Sequence, residues 1–233
     1  MSWNASSYVP ADVRDTRVTA FLSRVYGWMF LGLLVTAGTA VTVASSPALI
    51  KTLILNRGLF WVMIFAQLGV VIYLSVRVQK MAPATAAILF LLYSALVGVT
   101  TSTIFLVYTG ASIVSSFVIA GGMFGAMAVF GSLTKRSLAG VGQFMFMGLI
   151  GLIIAMVVNM FWQNGMMAFI ISVVGVLIFA GLTAWDTQKI KEMYDVNEDG
   201  TITARKAVMG ALTLYLDFIN LFLFMLRLLG DRR

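Results

Sequence analysis

Asp217 makes the clearest chemical claim in this sequence. Between Lys206 and Arg227 it is the only charged residue, eleven positions from the first and ten from the second. At the helical rise, that places it about 15 Å from either end of an apolar run, near the middle of a bilayer core. A carboxylate at that depth costs about 2.5–3.5 kcal/mol on insertion scales, so it is kept protonated, paired or facing water, and is a candidate for function. Thr213 at i−4 and Asn220 at i+3 share its helix face, while Leu214, Leu216, Phe218, Leu221, Phe222 and Phe224 are apolar. A single polar stripe on an apolar helix should face the bundle interior rather than lipid.

Asp186 is the second candidate. It ends an apolar run in Ala184-Trp185-Asp186-Thr187-Gln188, and by itself it reads equally well as a helix-end charge at the interface. Close to Asp217 it would mean more. Two neighbouring carboxylates cannot both ionise cheaply, so they would share a proton. Ionised together they offer hard oxygens to Ca²⁺; sharing a proton they do not. Asp186 and Asp217 are therefore the gating, ion-binding and metal-ligand candidates. Spacing alone leaves their meeting open. Gly165 to Asp186 is 21 residues, about 31 Å of helix, which sets Asp186 near the membrane surface and Asp217 near mid-depth. They meet only if helices tilt or the last helix begins well above the surface.

The elements that must position these acids are membrane spans. Of 233 residues, 61% are hydrophobic and only 11% charged, and the mean hydropathy is +0.98. A soluble domain of this size needs a far more polar surface. Apolar runs of roughly 18 residues or more recur along the chain, each long enough to cross a core of about 30 Å, and helices satisfy the backbone there. The pattern predicts an all-α membrane protein: a polar arm over 1–23, a transmembrane domain over 24–230 and a tail over 231–233. Spans are expected at about 25–44, 59–76, 84–107, 113–133, 139–161, 166–186 and 207–226. Pro83 suits the first turn of the third span, and Trp162-Gln163-Asn164-Gly165 supplies the turn that divides the 49 uncharged residues from Ser137 to Trp185. Pairs such as Gly121 with Gly125 and Ala180 with Ala184 would allow close helix packing. The polar start and the long first apolar run predict no cleavable leader.

With the N-terminus in the cytoplasm, the inner segments carry eleven Lys and Arg residues, from Arg14 and Arg17 to Arg205 and Lys206, against only Lys51 and Arg57 outside. That bias predicts a multi-pass protein with a cytoplasmic N-terminus. Seven full spans put Arg227, Arg232 and Arg233 outside; a re-entrant last segment would bring them back in. The net charge of +7 reads as topology and headgroup contacts rather than nucleic-acid binding.

The chain has no cysteine and no histidine. This excludes disulfides, thiolate metal sites and Ser–His or Cys–His nucleophile pairs, so no enzyme and no resident cofactor is expected. The stretch Asp195-Val196-Asn197-Glu198-Asp199-Gly200 resembles the start of an EF-hand loop. Position twelve is Lys206 where a bidentate glutamate is required, so a solvated turn is expected. An intramembrane aspartyl protease would pair Tyr-Asp with Gly-x-Gly-Asp, but here Asp217 follows Tyr-Leu and Asp186 follows Ala-Trp.

Two strings near the C-terminus carry a resemblance. Gly181-Leu182-Thr183-Ala184-Trp185-Asp186-Thr187-Gln188-Lys189-Ile190 and Ala211-Leu212-Thr213-Leu214-Tyr215-Leu216-Asp217-Phe218-Ile219-Asn220-Leu221-Phe222 resemble the Bax inhibitor-1 family, also called the transmembrane Bax inhibitor motif family. Val25-Tyr26-Gly27-Trp28-Met29 and Leu92-Tyr93-Ser94-Ala95-Leu96 are similar to bacterial members, which implies a cell inner membrane location. The resemblance implies a seven-transmembrane-helix bundle with the last helix central. It also implies a pH-sensitive calcium (cation) leak gated by two aspartates, which fall on Asp186 and Asp217 and so are paired. Some relatives carry an acid in the second span where this chain has Gln67. Arg77, at the end of that span, is a supporting candidate that could pair with a site carboxylate, as Thr213 and Asn220 are on the last span. The expected partners are the lipid bilayer, protons and Ca²⁺ as the transported ion. The rival expectation is an interaction protein that modulates a membrane protease or another membrane complex.

Overall fold

The computed structural model describes residues 11–233. Residues 1–10 of the expected arm, and the side chain of Asp12, lie outside the described residues. Seven helices are long and apolar enough to cross a membrane. They are α1 (Ala11–Ala44), α2 (Arg57–Arg77), α3 (Pro83–Thr101), α4 (Gly110–Leu133), α5 (Ala139–Phe161), α6 (Gly165–Glu192) and α7 (Gly200–Leu229). Helix α1 begins at Ala11, so the second half of the polar arm is helical.

Local chemistry fixes the helix ends. Asn56 Oδ1 accepts from Leu59 N at 3.2 Å, Thr109 Oγ1 from Ser112 N at 3.2 Å, and Asn164 Oδ1 from Met166 N and Met167 N at 2.9 and 3.1 Å. Each side chain answers amides left open in a first helical turn. Pro83 stands at the start of α3, where its missing N–H is not needed. The third span reaches Val107, as expected, but it is not continuous. It breaks after Thr101 and resumes as a single turn over Ile104–Val107. The cause is a run of four hydroxyl residues. Thr100, Thr101, Ser102 and Thr103 all donate to carbonyls three or four residues back, at 2.7–3.3 Å. Such bonds compete with the helical ladder.

Helix α7 is central. In its apolar window 67% is buried, against 44% for α6, 11% for α2 and 6% for α5. It packs on α1, α3, α4 and α6, whereas α2 leans mainly on α3 and α5 on α6. Close approaches are made through small residues. A Cβ at Gly131 would overlap the Ala184 carbonyl, and one at Gly142 would overlap the Trp185 ring. Ala180 and Ala184 are buried as the small-residue spacing implies, but Gly121 and Gly125 face open space. Their i, i+4 spacing marks a strip of α4 that no side chain among the described residues approaches within 4 Å of an added Cβ.

A buried polar clamp ties three helices. The Tyr215 hydroxyl lies 2.6 Å from Thr36 Oγ1, which donates to the Ser94 carbonyl at 2.9 Å. The rings of Phe90 and Tyr93 meet Tyr215 edge-on at 5.6 and 5.9 Å. Tyr215 is thus satisfied at its polar tip while its ring fills the core, as a buried tyrosine must be.

The loops sort into two ends. At the basic end, Lys191 Nζ donates to Ser132 O at 2.8 Å, Gln188 holds Leu138 N and Arg136 O, and Arg205 Nη1 donates to Gln79 O at 2.8 Å. At the opposite end the tail is tied to the turn before α4. Thr109 N donates to Asp231 O at 3.1 Å, and Arg233 N to Val107 O at 2.9 Å. Helix α7 therefore traverses the whole bundle, and the tail arginines lie at the end opposite Lys191 and Arg205.

Candidate functional site

The packing leaves one side of α7 uncovered by helix. No substantial contact joins α2 to α5, and between them a cleft of about 480 Å³ reaches the central helix. Residues of α5, α6 and α7 form its walls, with Ser75 of α2 at the rim. Asp186, Asp217, Thr213 and Asn220 all line it. The polar stripe on the last span faces this interior space.

The two aspartates meet there. Their side chains are in hydrogen-bonding contact, and their exposures are 8% for Asp186 and 4% for Asp217. Ionised carboxylates only accept hydrogen bonds, so a bond between them requires a proton on one. Asp217 Oδ2 is buried and no N–H or hydroxyl donor reaches it. A buried acceptor left in that state is expensive unless a proton or cation visits it.

The depth mismatch read from the sequence is resolved by register. Gly210 of α7 abuts Ile190 of α6 so closely that a Cβ there would lie 3.1 Å from the isoleucine. Asp186 lies four residues from Ile190 and Asp217 seven from Gly210, so the depths differ by only about 4–5 Å, within reach of two side chains. This works because α7 starts at Gly200, well before the apolar run, and carries nearly three turns before it reaches the level of Ile190.

Arg77 does not join the pair. It is exposed at the end of α2 and makes no ion pair among the described residues; a cation in the last helical turn suits the helix dipole. The cation at the site is Lys189, which sequence reasoning read only as a topology signal. Lys189 lines the cleft, acts electrostatically on Asp186 and sits 5.0 Å over the Trp185 ring. Its i+3 spacing from Asp186 was the available clue. Gln67 pairs instead with Thr100 on α3, its Nε2 donating at 3.2 Å, and is not part of the cleft. In the EF-hand-like loop, Lys206 occupies the twelfth position and grips Glu198 at 2.6 Å, while Asp199 stands at the N-cap, just before α7.

Two carboxylates, a threonine hydroxyl and an asparagine amide offer at most six oxygens, the lower limit of the six to eight that Ca²⁺ takes. Among the described residues no group of three or more acidic side chains gathers.

A multi-pass helical membrane protein with a buried acid pair on its central helix is the class that fold and site define. The chain belongs to the Bax inhibitor-1 family: the family model described as inhibitor of apoptosis-promoting Bax1 matches residues 18–233. It is similar to the inner membrane protein YbhL of Escherichia coli, 48% identical over 215 residues that cover 91% of this chain and 92% of that one. It is likewise similar to uncharacterised proteins of Borreliella burgdorferi, 46% identical with 91% and 92% covered, and of Rickettsia prowazekii, 42% identical with 94% and 92% covered.

Proposed function

We propose that this chain is a pH-sensitive cation leak of the inner membrane, with Ca²⁺ as the transported ion and the proton shared by Asp186 and Asp217 as its switch. The single observation that carries the reading is the contact of two buried carboxyls in a cleft on the central helix, where no N–H or hydroxyl donor reaches Asp217 Oδ2. The inner-membrane placement is supported by the name of the Escherichia coli relative, and a cytoplasmic basic end by the distribution of Lys and Arg.

The sign follows from the chemistry. With a proton between them, the two acids bond to each other and present no paired negative oxygens. When the proton leaves, they repel, separate and offer hard ligands to a divalent ion. Flux therefore rises as pH rises through the titration of the pair. With neither cysteine nor histidine available, the residues favour a conduit over an enzyme.

Purified protein in liposomes loaded with a Ca²⁺ dye tests this. The expected result is Ca²⁺ entry that increases with pH. Well-folded protein that gives no flux, or a flux flat in pH, would overturn the reading, and a membrane protease retained through purification would then favour the interaction-protein rival.

A further inference from the structure

Three cavities lie along one side of α7. The aspartate cleft is the middle one. A second, of about 370 Å³, lies toward the basic end among Gln79, Met193, Ile202 and Arg205. A third, of about 570 Å³, lies toward the other end, walled by Asn159, Gln163, Arg227 and Arg232. One side chain, Met209, is common to the first two, and one, Met156, is common to the middle and the third. Met209 and Met156 thus each border two neighbouring cavities.

The positions are specific. Met209 lies eight residues before Asp217 on α7, about 12 Å up the same helix. Met156 stands on α5, the least buried of the seven helices. Both side chains are half-buried, with open volume on either side. Methionine is unbranched, has three rotatable bonds and adapts to gaps. An apolar constriction between wet spaces stops ions by dewetting.

We propose that Met209 and Met156 are the two gates of the molecule, each an apolar partition that closes the aspartate cavity to hydrated cations from one end. The proposal rests on the leak reading for the identity of the cargo, although the gates themselves do not depend on it. Rotation of one thioether joins two neighbouring cavities without moving a helix. The approaches differ in charge. The second cavity borders the surface at the Glu198–Lys206 pair, so one of its two cations, Lys206, is neutralised and Arg205 is left. Arg227 and Arg232 line the third, so a cation arriving from that end meets two guanidiniums as well as the apolar wall.

The chain has no cysteine, so introduced thiols report access without background. Thr213→Cys probes the cavity behind Met209, and Asn220→Cys probes it behind Met156. In liposomes of sorted orientation, a membrane-impermeant cationic thiol reagent is applied from one face at a time. Met209→Ala should speed labelling of the Thr213→Cys protein severalfold from the basic end only. Met156→Ala should do the same for the Asn220→Cys protein from the opposite end only. Met209→Leu, close in size, should keep labelling slow and so controls for loosened packing. Rates indifferent to residues 209 and 156 would overturn the gates. So would an equal acceleration by Met160→Ala, an exposed neighbour on α5. Accelerated labelling without Ca²⁺ flux in any variant would uphold the gates and sink the calcium leak; pH-dependent flux with unchanged labelling would do the reverse.

Discussion

Lys189 stands one helical turn after Asp186, on the rim of the cleft, and its ammonium favours a negative charge on that carboxyl. Arg77 lacks such a partner. Lys189→Met should therefore move the onset of Ca²⁺ flux to higher pH, because the ionised acid loses a cation. Lys189 is exposed, so solvent screens its effect and the shift should be small. Arg77→Met should leave the onset in place. A pH series of flux in liposomes separates the two, and a larger effect from Arg77 would refute the assignment. The candidate acids were legible in the sequence because a lone aspartate inside an apolar run has few structural excuses. Thr213 and Asn220 followed from helical spacing. Lys189 was not legible in the same way, since basic residues near helix ends are read first as topology signals, and only the structure shows which of them turns inward.

At the scale of elements, two pairs of close approaches set the register that makes the site. Ile190 against Gly210 brings the aspartates to nearly equal depth, and Phe179 stacks on Phe224 at 5.8 Å further along. Hydropathy located seven spans but not this register. The first turns of α7 are polar, and an apolar run does not reveal that its helix starts before it. The third span was located to Val107, but its break after Thr101 was not legible: the hydroxyl residues there are apolar enough for a span, yet they bond back to the backbone and interrupt the helix. Glycine spacing was legible only as a possibility. Gly131→Ala should push α4 from the Ala184 backbone and cost about 1–3 kcal/mol, the usual penalty of overpacking. Gly125→Ala, facing open space, should stay within about 0.5 kcal/mol of the parent. Thermal unfolding in detergent measures both, and equal effects would contradict the packing described here.

For the whole molecule, the central helix, the cleft between α2 and α5 and the two loop ends form one arrangement in which α7 crosses fully. The basic end should face the cytoplasm. Single cysteines at Lys51 and Arg233 should then react with an impermeant thiol reagent from the outer face of intact spheroplasts, while one at Lys135 should not. Reaction at Lys135 but not Arg233 would invert or shorten the topology. The fold class, span number and family were legible because a bilayer demands long apolar helices and the two C-terminal strings are distinctive. The uncovered side of α7 was not, because which helices neighbour one another is a property of packing. The account turns on two acids acting as one proton-binding unit, and a double-mutant cycle of Ca²⁺ flux against pH tests this directly. Asp186→Asn, Asp217→Asn and the double variant should each lose the pH step, with the double variant no more altered than either single one. Two independent losses that add, or a wild-type pH step surviving in either single variant, would contradict it.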